Sequence, residues 1–125
     1  MIAVDTSSLI GFFSADGAQD NSVVRAALRD EQLVLPPVVL AEASSDPFVK
    51  DELIDYLNTM SLLDLRPEYW ARVGQMRRVI LQQGLKAKLG DALIAQSCID
   101  HDVPLITRDK DFRHYAKHCG LKLYA

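Results

Sequence analysis

The chain has 125 residues, a net charge of −3 and 49% apolar residues, the balance of an ordinary globular protein with enough length to bury a core without staples. Two cysteines, Cys98 and Cys119, exclude a disulfide framework, and no apolar run is long enough to span a bilayer. The acidic balance argues against indiscriminate polyanion binding, although a nucleic-acid substrate needs only local positive charge.

The opening Met-Ile-Ala-Val-Asp carries neither a basic leader nor a cleavage site, so a cytoplasmic location is expected. Ile2 to Val4 is a short apolar run, and Thr6-Ser7-Ser8-Leu9-Ile10 follows it. This reads as a first strand handing over to a helix, with Asp5 at the strand's carboxyl end and Thr6 and the serines available to cap. Ala15-Asp16-Gly17 signals a turn, and Val23, Val24, Ala27 and Leu28 give an amphipathic helix from about Asn21 to Asp30-Glu31. Leu33-Val34-Leu35 is a second buried strand, stopped by Pro36-Pro37. Proline suits a first helical turn, so a helix over Val38–Ala43 is expected directly after it. Glu42 is the only charge between Leu33 and Ala43, and an isolated carboxylate there costs several kcal/mol unless it has a partner or a metal.

Ser45-Asp46-Pro47 predicts another helix start, with Phe48, Val49, Leu53, Ile54 and Leu57 as its buried stripe. Leu62-Leu63-Asp64-Leu65 reads as a third strand. Pro67 opens the longest helix, to about Gln83, with Trp70, Val73, Met76, Ile80 and Leu81 on one side and Arg72, Arg77 and Arg78 mostly off it. After Gly84, Lys86 and Lys88 lie in the loop before Gly90-Asp91, a helix start where an acid meets free backbone N–H groups. Cys98 falls on that helix's apolar side as a small core residue. Val103 to Ile106 is the fourth strand, with Asp109 and Asp111 just past it. Phe112–His118 is a short helix, and Leu121–Tyr124 the fifth strand. Short strands alternating with helices predict an α/β domain over 1–125 with a parallel sheet of about five strands.

The acids carry the chemistry. Asp5, Asp91 and Asp109 fall at strand ends or helix starts beside the sheet's carboxyl edge, and Glu42 lies one turn into a helix leaving that edge. Each has a structural alternative, as a cap, a paired carboxylate or a turn acid. Converging without basic partners they repel, and a fold keeps such a cluster when a hard divalent cation neutralises it. Oxygen-only donors suit Mg²⁺ or Mn²⁺, the machinery of phosphodiester hydrolysis. Asp16, Asp46, Asp64, Asp100 and Asp102 read as turn or solvated-face acids, and His101, His114 and His118 show no metal-ligand spacing. No Gly-rich phosphate loop is present. Arg72, Arg77, Arg78, Lys86 and Lys88 are candidates for holding the backbone phosphates of a nucleic acid, against the alternative of a solvated helix face and loop.

Four segments resemble the PIN-domain nucleases. Asp5-Thr6-Ser7-Ser8-Leu9 is similar to their opening "DTS-x-L" segment, and Leu40-Ala41-Glu42 to the helix bearing the second acid. Asp91-Ala92-Leu93-Ile94-Ala95 is similar to "DALIA", and Leu105-Ile106-Thr107-Arg108-Asp109-Lys110-Asp111-Phe112 to "L-x-TRD-x-DF". The matches run in order over nearly the whole chain, and its length resembles the VapC-like toxins of toxin–antitoxin pairs. The resemblance implies a three-layer α/β/α fold, a Mg²⁺-dependent endoribonuclease (Mn²⁺ substituting), homodimers, and inhibition by a small co-encoded antitoxin. It places the catalytic metal site at Asp5, Glu42, Asp91 and Asp109, with Asp111 as a fifth candidate and Thr6 and Thr107 as supporting hydroxyls. Two rivals are an aspartyl phosphotransfer domain, disfavoured because Thr-Ser-Ser follows Asp5, and a non-catalytic module of the same fold, disfavoured because all four acids are present.

Overall fold

The computed structural model describes residues 1–124; Ala125, the end of the expected domain, lies outside the described residues. Three parallel strands, β1 (Ile2–Val4), β2 (Leu33–Val34) and β3 (Leu105–Ile106), form a sheet of order β2-β1-β3. Ile2 and Ala3 pair with Leu33 and Val34 on one side, and Ala3 and Val4 with Leu105 and Ile106 on the other. A strand paired on both edges and covered on both faces must be apolar throughout, and Ala3 and Val4 are fully buried.

Two single parallel bridges, Leu35 to Leu62 and Leu105 to Leu123, extend the sheet at its outer edges. The expected five-strand sheet is therefore complete in order, but its two outermost members are one bridge long. The reason lies in the flanks. Leu62, Asp64 and Leu65 are exposed, as are Lys122 and Tyr124, so neither segment has two faces to bury. Leu63 and Leu121 are buried in the core, and Leu123 packs half-buried against it.

Seven helices cover the sheet among the described residues: α1 (Thr6–Phe13), α2 (Asp20–Arg29), α3 (Pro37–Ser45), α4 (Asp51–Leu57), α5 (Tyr69–Gln82), α6 (Leu89–His101) and α7 (Phe112–Cys119). Asp5 caps α1 by accepting the Ser8 N–H at 2.9 Å, Pro37 occupies the first turn of α3, and Gly120 ends α7 at a φ of 82°. α1 packs on α2 and α3, while α5 packs on α6 and α7. None of these helices is long and apolar enough to cross a membrane.

The topology singles out one place. The chain leaves β1 toward β2 and later returns across the sheet to β3, so the winding reverses between β1 and β3. The carboxyl ends of two such strands open a crevice where ligands bind in open α/β sheets. Asp5 follows β1 and Thr107 follows β3.

Two expected helices are shifted. The segment from Ser45-Asp46-Pro47 does not open a helix: Asp46 accepts the Phe48 N–H at 2.9 Å in a local turn, and α4 begins at Asp51. Phe48 is consequently 93% exposed, whereas Leu57 is buried. On α5 the inward stripe is Tyr69, Val73, Met76 and Ile80, at helical spacing, and it leaves Trp70 67% exposed. The Tyr69 hydroxyl decides that rotation by donating to the Leu93 carbonyl at 2.6 Å.

The contrast between two members of the expected Phe48–Leu57 stripe is testable. Leu57→Ala removes a side chain from the core and should cost about 2–5 kcal/mol in denaturant unfolding. Phe48→Ala should stay within about 0.5 kcal/mol of the native chain.

Candidate active site

Asp5 is where the crevice begins. Its residue is 3% exposed, and both carboxylate oxygens are occupied. Oδ1 accepts the Ser8 N–H, Oδ2 accepts a short hydrogen bond from the Thr107 hydroxyl, and Ser7 Oγ lies 3.3 Å from each oxygen. Burial pushes the Asp5 carboxyl above its usual range, and these donors pull against that shift.

Thr107 relays the arrangement along the loop after β3. Its hydroxyl donates to Asp5 and accepts the Asp109 N–H at 3.0 Å, and Asp109 Oδ1 in turn accepts the Asp111 N–H at 2.9 Å. Asp91, in the first turn of α6, meets this loop from the other side. One carboxylate oxygen from each of Asp91, Asp109 and Asp111 lies within 4.8 Å of the others, and all three residues are half-buried. Glu42, on α3, is held by the Thr6 hydroxyl at 2.7 Å. Its Oε2 would stand 3.3 Å from a β-carbon at Gly90, so the glycine beside Asp91 lets the two acids approach.

Among the described residues no Lys or Arg makes an ion pair with any of these five acids. The consequence shows at Asp91, whose carboxyl is pushed up to about 6. Burial contributes most, the Asp109 charge next, and Asp5 and Glu42 act in the same direction, with only Lys88 opposing. Three converging oxygens of a hard, oxygen-only donor set with a cation deficit are what Mg²⁺ or Mn²⁺ fits.

Two of the five basic residues expected to hold phosphates are engaged within the chain. Arg72 pairs closely with Asp100 and donates to the Pro67 carbonyl, and Arg77 donates to the Ala87 carbonyl at 2.6 Å. Arg78, Lys86 and Lys88 remain exposed. Asp100, expected on a solvated face, is instead bound by Arg72 and by Gln96 at 2.8 Å.

The sequence reading gave Ser8 only a capping role and gave none to Asp20 or Arg108, all three of which the structure ties to the site. Arg108 pairs with Asp16 and Asp20, and the Ser8 hydroxyl donates to Asp20 at 2.8 Å. Asp16 does make the expected turn, accepting the Ala18 N–H at 3.0 Å, but the hydrogen bond from Arg108 also holds its carboxyl down to about 2. The available signal was Arg108 itself, a cation standing directly between Thr107 and Asp109.

The sequence profile of the PIN domain matches residues 2–118. The chain belongs to the PIN domain family. Solved structures similar to it across nearly the full length agree on the fold. VapBC2 from Rickettsia felis, bound to a DNA fragment from its promoter, superposes with a TM-score of 0.72 at 21% identity, over 99% of this chain and 98% of that one. FitAB bound to the IR36 DNA fragment gives 0.71 at 20% identity, over 99% and 94%. FitAcB from Neisseria gonorrhoeae gives 0.66 at 20% identity, over 100% and 97%. No curated protein sequence gives a significant match.

Asp91 makes this PIN domain's stability depend on pH. Its native carboxyl, near 6, binds a proton more tightly than the unfolded one, near 3.8, so the native state holds more protons between these values. That contribution is therefore complete below about pH 4 and lost as pH rises through about 6. In the absence of divalent ions, the stability difference between Asp91→Asn and the native chain should move in the variant's favour by about 1–2 kcal/mol over that window, after discounting for partial solvent exposure. Urea titrations at pH 4 and pH 7 check it.

Proposed function

We propose that this PIN domain is a metal-dependent endoribonuclease that hydrolyses RNA phosphodiester bonds, and that it is the toxin of a toxin–antitoxin pair. The observation that carries the chemistry is the convergence of Asp91, Asp109 and Asp111 without a basic partner, beside the hydrogen-bonded Asp5 and Glu42. Family membership supports the nuclease class. Similarity to VapBC2 and FitAB supports the pairing with a small antitoxin.

In this reading Asp5, Glu42, Asp91 and Asp109, with Asp111, hold Mg²⁺, for which Mn²⁺ substitutes. The bound ion would supply charge stabilisation and a more acidic water. The chain's own contribution is orientation. Ser8, Thr107 and Thr6 fix the carboxylates of Asp5 and Glu42 by hydrogen bonds that carry no positive charge, so the anionic character of the site is kept for the ion. Arg78, Lys86 and Lys88 are the free cations of the expected set and would hold backbone phosphates near the mouth of the crevice. Asp5 is poorly suited to act as an aspartyl nucleophile, because both of its oxygens are buried acceptors.

The test is a cleavage time course on structured and unstructured RNAs with Mg²⁺ or Mn²⁺ and an EDTA arm. Asp91→Asn should fold and lose roughly a hundredfold or more in rate, about 2.7 kcal/mol of barrier lowering. Cleavage persisting in EDTA, or a wild-type rate in Asp91→Asn, would sink the reading.

We also propose a homodimer. Trp70, Leu81 and Leu89 are exposed apolar side chains along α5 and the start of α6 that line one surface groove, a face a second copy could cover. Light scattering over a micromolar concentration series should give twice the chain mass; a constant monomer mass would remove the proposal.

A further inference from the structure

Arg108 lies outside the acid cluster yet joins the segments that carry it. Its Nε and Nη2 donate to Asp20 Oδ2 and Oδ1 at 3.0 and 2.7 Å, and its Nη1 donates to Asp16 Oδ2 at 2.6 Å. Asp20 opens α2, and Asp16 lies in the turn just before it. Gly11 makes room for the guanidinium: a β-carbon at that position would overlap both Arg108 and Asp16. Asp20 also accepts the Ser8 hydroxyl, and the Ser8 backbone N–H holds Asp5. Asp5 is bound by Thr107, which is covalently joined to Arg108. The links close a ring from Arg108 through Asp20, Ser8, Asp5 and Thr107 back to Arg108, and Asp109 is the next residue out of it.

We propose that Arg108 is a positioning residue: its forked attachment to Asp16 and Asp20, seated in the notch left by Gly11, holds the Thr107–Asp111 loop so that Asp109 and Asp111 meet Asp91. The inference rests on the divalent-cation reading of that cluster. A planar guanidinium suits the task because its donors are fixed in direction, so bonds to two carboxylates define an orientation as well as a distance. Asp16 and Asp20 together offset the cation, which keeps it from serving as the counter-ion of Asp109 and Asp111, one and three residues on. The same three bonds thus position the loop and withhold a positive charge from it.

Positioning and simple electrostatics predict opposite signs. If Arg108 acted only as a nearby charge, removing it would tighten the binding of a divalent cation. If it positions the loop, removal weakens binding. Calorimetric titration of Mn²⁺ into the metal-free chain, with melting temperatures recorded alongside, separates the two. Arg108→Gln is expected to weaken Mn²⁺ binding tenfold or more, and Arg108→Lys, which keeps the charge but not the fork, at least threefold. Arg29→Gln removes the same charge from an exposed pair with Asp30 and should leave the affinity unchanged. Native-chain binding with an unaltered or tighter affinity in Arg108→Gln overturns the inference alone, even if the melting temperature falls. Should Arg108→Gln not fold, Arg108→Lys decides, and an affinity within twofold of the native chain overturns it. No binding by the native chain itself overturns the cation reading, and the inference with it.

Discussion

A buried carboxylate has to be satisfied, and the structure is arranged around how Asp5 is. Leaving such a group without donors costs several kcal/mol, so the residues that reach it cannot easily be elsewhere. Ser8 reaches it from the first turn of α1, Thr107 from the loop after β3, and Ser7 from the helix surface. One side chain therefore fixes how the central strand, the first helix and the last sheet strand meet. The donors are a backbone N–H and hydroxyls, all neutral, so they pay the desolvation without discharging the acid.

That choice of neutral donors propagates outward. Asp91 is left facing Asp109, Asp5 and Glu42 with only Lys88 in opposition, and its carboxyl rises accordingly. Elsewhere the same chain satisfies acids with arginine instead. Asp100 has Arg72, and Asp16 and Asp20 share Arg108. The unpaired acids that converge lie at the switch point of the sheet, where function is expected and strain in the charge balance is tolerated.

Much of this was legible in the sequence because it follows from local rules. Asp5 after an apolar triplet and Pro37 after a strand each act within a few residues, and the structure has both at element boundaries. The outer strands were over-read because an apolar run such as Leu62–Leu65 looks the same whether it has two buried faces or one. Phe48 and Trp70 were placed inward by periodicity, but a turn made by Asp46 and a hydroxyl on Tyr69 set the helix start and rotation. Arg72 and Arg108 find their partners 28 and 88 residues away, and no spacing pattern records a bond across the fold.

The bond between Thr107 and Asp5 spans 102 residues, and the strand that Asp5 follows pairs with Leu33–Val34 on one side and with Leu105–Ile106 on the other. Contacts this distant in sequence form late, since the intervening chain must be closed before they repay the loss of freedom. Synthesis is vectorial, so Asp5 leaves the ribosome 102 residues before Thr107. A chain terminated between them holds Asp5 without Thr107, Asp109 or Asp111, and so without the crevice. The order of the polypeptide delays the assembly of the crevice until Thr107 and the acids just after it have been made.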